Sequence, residues 1–108
     1  KTGVGAHNLF LSPDKATIYV SNRLGGSVTA IDPTTLAVRR NYVLPGGPDD
    51  LGIAPDGNLW ISLRFAEQVA VMNPETGKYS AIDVGRSPHG IFLNTQMQKS
   101  GELTAEVL

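Results

Sequence analysis

The stretch Gly47–Asp83, which reads GPDDLGIAPDGNLWISLRFAEQVAVMNPETGKYSAID, decides the fold of this chain. It contains four short runs of strand-forming residues, each closed by a turn of suitable composition. Asp56-Gly57 is a strong signal for a short hairpin, and Gly77 ends a turn where a positive φ is expected. No segment shows a capped apolar period of about 3.6 residues. The stretch is therefore predicted to be all-β.

The same pattern occurs earlier in the chain. Pro13-Asp14 recurs 42 residues later as Pro55-Asp56, and Tyr19 recurs 41 residues later as Trp60. The shorter spacing also relates Arg23 to Arg64, Val28 to Val69, and Asp32-Pro33 to Asn73-Pro74. A third copy begins at Ser87-Pro88-His89-Gly90. A period near 40 with four antiparallel strands per unit is typical of the blades of a β-propeller.

These repeats divide the chain into a blade at 5–45, a blade at 47–84, the start of a third blade at 87–94 and an irregular tail at 95–108. Residues 102–108 are expected to form either a terminal strand or a short helix. A closed propeller needs about four to eight blades, and the chain supplies about two and a half. We therefore expect a piece of a longer ring, or a protomer completed by other copies of the chain. Alone it would expose an apolar blade face and unpaired strand edges.

Strands are predicted at eight places, and the turns between them carry most of the local signals. Asp14 and Asp56 are interpreted as turn residues, and Tyr19 and Trp60 as core between blades. Leu36 stands where the second repeat has Gly77, so its turn is expected to be strained or differently shaped. The predicted strands are 7–12, 17–22, 27–32 and 37–44 in the first repeat, and 49–54, 58–63, 68–73 and 78–84 in the second.

Composition excludes several classes of function. The formal net charge is −1 and the basic residues are scattered, so a nucleic acid is not expected as a partner. No apolar run approaches the roughly 20 residues that span a bilayer. The absence of cysteine excludes disulfides and thiolate chemistry. The fingerprints of nucleotide-binding loops, hydrolase elbows and zinc proteases are also absent.

Two stretches carry a family resemblance. SPDKATIYVSN followed by SVTAID resembles the YVTN-type propeller repeat, and GPDDLGIAPDGNLWIS with SPHGI resembles the repeat of virginiamycin B lyase. The resemblance covers 5–94 and implies a propeller of four-stranded blades, in a bacterial protein that is periplasmic or secreted rather than cytoplasmic. These motifs belong to the framework of the fold, which hosts many functions.

Blade topology predicts where polar residues converge. The starts of the first and third strands share one face with the ends of the second and fourth strands, so His7, Asp49 and His89 should surround the mouth of the central channel on one side. Asp50 lies beside them in sequence. The loops that contain Arg23, Arg64 and Phe65 should border the same face, a common place for a ligand.

Each of these residues has two interpretations. His7, Asp49, Asp50 and His89 could form part of a metal or acid–base site, or they could cap the starts of strands by bonding to nearby backbone N–H groups. Arg23 and Arg64 could clamp an anion, or they could pair with local carboxylates such as Asp50 or Glu67. Phe65 could anchor a partner, or it could pack under its own loop.

The resemblance also implies an activity. In virginiamycin-type lyases, a cyclic depsipeptide is opened by β-elimination with Mg²⁺, a His base and Glu residues near the mouth. The family pattern tends to end the second strand of a catalytic blade with Glu, whereas this chain has Asn22 and Leu63 there. Asp49 also replaces the His of the second repeat.

The function predicted from the sequence is therefore a non-catalytic module without a cofactor. Its mouth face would bind a small ligand or a protein partner through Asp49, Asp50, Arg23, Arg64 and Phe65. A Mg²⁺-dependent lyase with His7 or His89 as base is the alternative.

Overall fold

The computed structural model describes residues 3–85, 88, 91–94 and 104–107, the last two segments by their backbone alone. These residues form strands and turns, and none of them lies in a helix. The strands are β1 (Ala6–Leu11), β2 (Ile18–Asn22), β3 (Ser27–Ile31), β4 (Val38–Val43), β5 (Pro48–Ile53), β6 (Leu59–Leu63), β7 (Gln68–Met72), β8 (Tyr79–Asp83), β9 (Ile91–Asn94) and β10 (Thr104–Val107).

The strands form two four-stranded sheets and one two-stranded sheet. The sheets have the orders β1-β2-β3-β4 and β5-β6-β7-β8, and every neighbouring pair is antiparallel. β9 pairs with β10 in a separate antiparallel sheet. The predicted all-β fold with blades of four antiparallel strands is thus confirmed, and the eight strand positions in the two sheets differ from prediction by only a residue or two at their ends.

The main core lies between the two four-stranded sheets. The second sheet contributes Leu59, Ile61 and Leu63 from alternate positions of β6, each at most 1% exposed. Alternate residues of a strand point to opposite faces, so these three side chains cover one face of their sheet. The first sheet packs against these side chains with the opposite face of its strands, which supplies Tyr19, Val28, Ala30, Tyr42 and Leu44. The predicted core position of Tyr19 is confirmed, while Trp60, on the other face of β6, is only half-buried.

Side chains of the outer strand β4 also link the two sheets. Arg40 donates to the carbonyl oxygens of Pro74, Glu75 and Thr76 at 3.3, 2.7 and 3.0 Å. The hydroxyl of Tyr42 donates to the Pro74 carbonyl at 2.6 Å, and the Arg40 guanidinium lies 4.8 Å from the centre of the Tyr42 ring. Arg40 lies on the exposed outer strand of its blade, and its charged end binds the next blade.

The turns have the hydrogen bonds and backbone conformations that their residues predict. Asp14 and Asp56 each accept from the backbone N–H two residues later, at 2.9 Å, so both are turn residues. Leu36 adopts φ 62, close to the φ 76 of Gly77 in the equivalent turn. A left-handed conformation costs a residue with a Cβ atom about 1–2 kcal/mol. The strain expected at Leu36 is therefore present.

The other face of the first sheet is exposed only in part, since Val20, Asn22 and Thr29 on it are at most 3% exposed. Leu9, Leu11 and Val43 on that face are 68%, 52% and 74% exposed. The pairing of the repeats makes this face equivalent to the buried face of the second sheet. Asn22 lies within it and donates through Nδ2 to Ser27 Oγ and Thr29 Oγ1 at 3.0 and 2.9 Å. The strands that the structure describes form only part of a ring of about four to eight blades, so further blades or other copies complete it.

No helix among the described residues is long and apolar enough to cross a membrane.

Candidate functional site

The innermost strand of each four-stranded sheet carries a β-bulge at its start. Ala6 pairs with Asn22 and Asn8 with Ser21, so His7 is an extra residue in β1. Pro48 pairs with Leu63 and Leu51 with Ile61, so β5 has one extra residue among Asp49 and Asp50. A bulge releases a residue from the pairing pattern and re-aims its side chain. The candidate residues therefore sit where the chain departs from regular strand geometry.

The two bulges bring His7 and Asp49 into contact between the blades. His7 Nε2 lies 2.6 Å from Asp49 Oδ1, a distance at which the Nε2–H group donates to the carboxylate. The backbone carbonyl of Asp49 accepts from Ser21 Oγ at 2.8 Å, which fixes the position of the bulge against the first sheet. Residues 42 positions apart in the sequence thus form one polar group at the mouth.

Asp49 is buried, whereas its basic neighbours are not. Its side chain is 3% exposed, compared with 36% for His7 and 42% for Arg64. Arg64 Nη1 lies 3.8 Å from Asp49 Oδ2, which is an ion pair but too long for a hydrogen bond. Within the part of the chain that the structure describes, Asp49 Oδ2 has no hydrogen-bond donor. A buried carboxylate oxygen without a donor is costly, so this site is suited to receive one.

Asp50 has a different environment from Asp49. Its Oδ1 accepts from the Leu51 N–H at 3.0 Å, and its own N–H donates to Ser62 Oγ at 2.9 Å. These contacts fit the interpretation of a residue that caps the start of its strand. The sequence grouped the two aspartates, and the structure separates their roles through the direction of each side chain.

Arg23 and Arg64 occupy equivalent loops. The Arg23 N–H donates to the Gly5 carbonyl at 3.0 Å, and the Arg64 N–H donates to the Gly47 carbonyl at 2.9 Å. The side chain of Arg64 approaches Asp49 rather than Asp50 or Glu67, the partners that the sequence suggested. Arg23 Nε is buried and has no acceptor among the described residues. Arg23 also forms no ion pair with the residues that the structure describes.

Phe65 is 59% exposed at the tip of its loop. One side of its ring rests against Gly47, since a Cβ atom added there would lie 2.5 Å from the ring. Phe65 therefore packs partly under its own loop and also leaves most of its side chain exposed to a partner. Leu24 is its equivalent in the first blade, is 69% exposed and lies over Gly5 in the same way. Sequence reasoning did not single out Leu24, although the 41-residue spacing from Phe65 could have identified it.

His89 and its neighbour Gly90 lie outside the described residues, so the predicted contact of His89 with the mouth is not placed. Among the residues that are described, no group of three or more His, Cys, Asp or Glu side chains could hold a metal ion. His7 and Asp49 are only two candidate ligands, and the Arg64 guanidinium beside them opposes a divalent cation. The described residues do not fit a Mg²⁺ site.

Positions 22 and 63, where the lyase pattern tends to have Glu, are buried in the blades. Asn22 is fully buried in the polar network of the first sheet, and Leu63 is 1% exposed in the core between the sheets. Neither side chain extends to the mouth as a catalytic group.

A cavity of about 310 Å³ opens on the opposite face, between the Pro13 and Pro55 turns. Its carboxylate, Asp14, accepts from Ser12 Oγ at 2.6 Å and from the Ala16 N–H. These hydrogen bonds hold the pKa of Asp14 below its usual value. The Asp14 carboxylate of this cavity therefore already has donors within its own turn, whereas the buried Asp49 Oδ2 has none among the described residues.

Residues 1–98 match the protein family described as YNCE-like β-propeller. A comparison with curated protein sequences gives no significant match. The solved structures that resemble the chain include hydrazine synthase from Kuenenia stuttgartiensis, with 28% identity and a TM-score of 0.85 over 99% of this chain and 30% of that one.

Two lyases are also similar in structure. Virginiamycin B lyase from Staphylococcus aureus, solved with quinupristin, matches with 16% identity and a TM-score of 0.74 over 100% of this chain and 43% of that one. A streptogramin B lyase matches with 21% identity and a TM-score of 0.71, over 85% and 32%. At these identities the likeness shows the fold alone. The chain spans less than half the length of each of these three proteins.

Proposed function

The chain belongs to the YNCE-like β-propeller family, and on this premise we propose that it is a non-catalytic binding module whose channel-mouth face takes a small ligand or a protein partner. The observation that carries the proposal is the buried Asp49 carboxylate, with one oxygen bonded to His7 and the other without a donor. A polar group of this kind gains most from a ligand that supplies the missing hydrogen bond.

The surroundings of Asp49 support a binding role. His7 and Arg64 flank the carboxylate and are both partly exposed, so a ligand can reach them. The bulges hold the group on strands rather than on mobile loops, which keeps its geometry fixed before binding. Binding then costs little reorganisation of the protein.

The proposal is tested on the full-length native form of the protein with a set of small amides, carboxylic acids, polyols and amines. Binding is followed by changes in ¹H–¹⁵N NMR shifts, which locate each contact. We expect binders whose shifts centre on His7, Asp49 and Arg64, and an affinity about tenfold or more lower in the Asp49→Asn/Arg64→Ala variant.

The exposed Lys78 on the outer side of the second blade provides a control that removes the same charge as Arg64→Ala. Lys78→Ala should leave binding unchanged. If the double variant binds every compound as the unmodified protein does, the assignment of the mouth is wrong.

A Mg²⁺-dependent lyase is the second candidate. The His7–Asp49 pair favours it, because a carboxylate beside an imidazole orients that group as a general base. Two observations oppose it. Only two candidate metal ligands, His7 and Asp49, lie together among the described residues, and the side chains at positions 22 and 63 are buried. The test is opening of a cyclic depsipeptide lactone by the full-length protein. Turnover that EDTA abolishes would favour the lyase, and no turnover at high enzyme concentration would exclude it.

A further inference from the structure

We propose that the mouth face binds a peptide segment of a partner protein, and that this segment presents a carboxylate next to a large apolar side chain. The inference rests on the proposed function and names the ligand class of that same site. It comes from a feature that both blades repeat: an arginine followed by an exposed apolar residue, Arg23-Leu24 and Arg64-Phe65.

The apolar members of these pairs are unusually exposed. Leu24 and Phe65 are 69% and 59% exposed, although each lies against a glycine of the preceding connection. Val4, next to Gly5, is 70% exposed. Large apolar side chains that cluster at one end of a molecule mark a protein contact more often than isolated ones do. Phe65 in particular has the size and rigidity of an interface anchor.

The arginines give the sign of the partner's charge. Arg64 is 42% exposed and its Nη1 lies 3.8 Å from Asp49 Oδ2, so its donors are open to a partner; Arg23 Nε also lacks an acceptor in the described part of the chain, but it is buried. Guanidinium groups with unused donors match carboxylates in a planar, bidentate geometry. The Asp49 carboxylate repels a second carboxylate, and its ion pairs with His7 and Arg64 offset part of that repulsion.

Asp49 Oδ2 explains why the ligand is a peptide rather than a simple fatty or aromatic acid. That oxygen is buried and lacks a donor, so a ligand N–H reaches it only when the neighbouring Arg64 side chain, which is 42% exposed and needs an acceptor, moves aside. A peptide provides a backbone N–H, a side-chain carboxylate and an apolar side chain within two residues. These three groups correspond to Asp49, Arg64 and Phe65: Arg64 approaches Asp49, and the Phe65 ring rests on Gly47, two residues before Asp49.

The test uses four peptides with blocked ends, so that only side chains carry charge. The parent is acetyl-Gly-Phe-Asp-Gly-amide, and the others replace Asp by Asn, Asp by Lys, or Phe by Ala. NMR shift titrations with the full-length native protein give each dissociation constant and the site of contact. We expect the parent to bind at the mouth, and each replacement to weaken binding by about tenfold or more.

Protein variants then assign the contacts. Arg64→Ala should abolish the preference for Asp over Asn, and Phe65→Ala should abolish the preference for Phe over Ala. Lys78→Ala and Tyr79→Ala remove a charge and a partly exposed aromatic ring from the outer edge of the same blade, and should change neither preference. Arg64→Lys should restore part of the charge preference, since a lysine keeps the charge but loses the planar fork.

The outcomes separate this inference from the proposed function. Equal binding of the Asp and Lys peptides, or mouth binding of small molecules alone, would overturn the peptide and leave the binding module intact. The absence of any shift at the mouth with every peptide and every small compound would overturn both. Parent binding that loses its preferences only in Arg64→Ala and Phe65→Ala would support both.

Discussion

Exchanging Leu63 for Asn should destabilise the protein strongly, although the equivalent position of the first blade is Asn22. Leu63 is 1% exposed in the core between the sheets. Removing its buried apolar side chain costs about 1.5–3 kcal/mol. The new amide would add about 1–3 kcal/mol, because the second blade lacks the two hydroxyls that accept from Asn22 in the first. In the first blade, the hydroxyls of Ser27 and Thr29 accept hydrogen bonds from the Asn22 amide. The second blade has Gln68 and Ala70 at those positions.

The expected loss in the free energy of unfolding is therefore about 2.5–6 kcal/mol, a large part of the roughly 5–15 kcal/mol typical of a domain. Urea denaturation followed by circular dichroism measures it. The control is Leu24→Asn, which makes the same exchange at a side chain that is 69% exposed and should change stability by less than about 0.5 kcal/mol.

A second variant tests the physical cause. Adding Ala70→Thr to Leu63→Asn places a hydroxyl where Thr29 lies in the first blade, and should restore about 1 kcal/mol. A loss below about 1 kcal/mol for Leu63→Asn alone would refute the reasoning. It would mean that the layer between the blades is not a dry, closely packed core.

Three further predictions concern other contacts. Arg40→Ala should lower the free energy of unfolding by about 1–2 kcal/mol, since it removes three hydrogen bonds to the next blade. Urea denaturation measures this loss, and hydrogen exchange of the Gly77 N–H should become faster. Gly47→Ala should cost more stability than Gly57→Ala, because both glycines have positive φ but only the first meets the Phe65 ring; thermal denaturation compares the two. Asp32→Asn should flatten the loss of stability in acid, measured as the midpoint of thermal unfolding against pH.

The sign of the Asp32 prediction follows from its pKa. The Arg39 guanidinium, 2.7 Å from Asp32 Oδ2, and the Thr34 and Thr35 N–H groups hold the pKa of Asp32 below its usual value of 3.8. The resulting stability is present above the unfolded pKa and is lost as the pH falls through the folded pKa. Asn cannot titrate, so that part of the acid loss disappears.

Each of these predictions has a clear contrary outcome. Lys78→Ala, as a control for Arg40→Ala, should leave stability unchanged; equal effects would mean that the Arg40 hydrogen bonds contribute nothing. Equal costs at Gly47 and Gly57 would show that Phe65 does not rest on its glycine. Identical acid slopes for Asp32→Asn and the unmodified protein would contradict the lowered pKa.

Much of the candidate site could be predicted from the sequence, because blade topology fixes which strand ends share a face. His7 and Asp49 are brought together as that argument requires. The partner of Arg64 was not predictable, since Asp49, Asp50 and Glu67 all lie within reach of its loop in sequence terms. The choice depends on the bulge in β5, which turns Asp49 inward and leaves Asp50 to cap its own strand.

The amino-acid sequence by itself determined the four-stranded blade, its period and its turns. These depend on local preferences: alternating apolar residues, Pro-Asp openings and residues that accept a positive φ, which act within a few positions of the chain. Only the tertiary structure decided which carboxylate is buried, which cation approaches it, and that Arg40 and Tyr42 hold the neighbouring blade. Those contacts join residues 15 to 42 positions apart, and they arise when two sheets pack and the bulged strands lose their regular register.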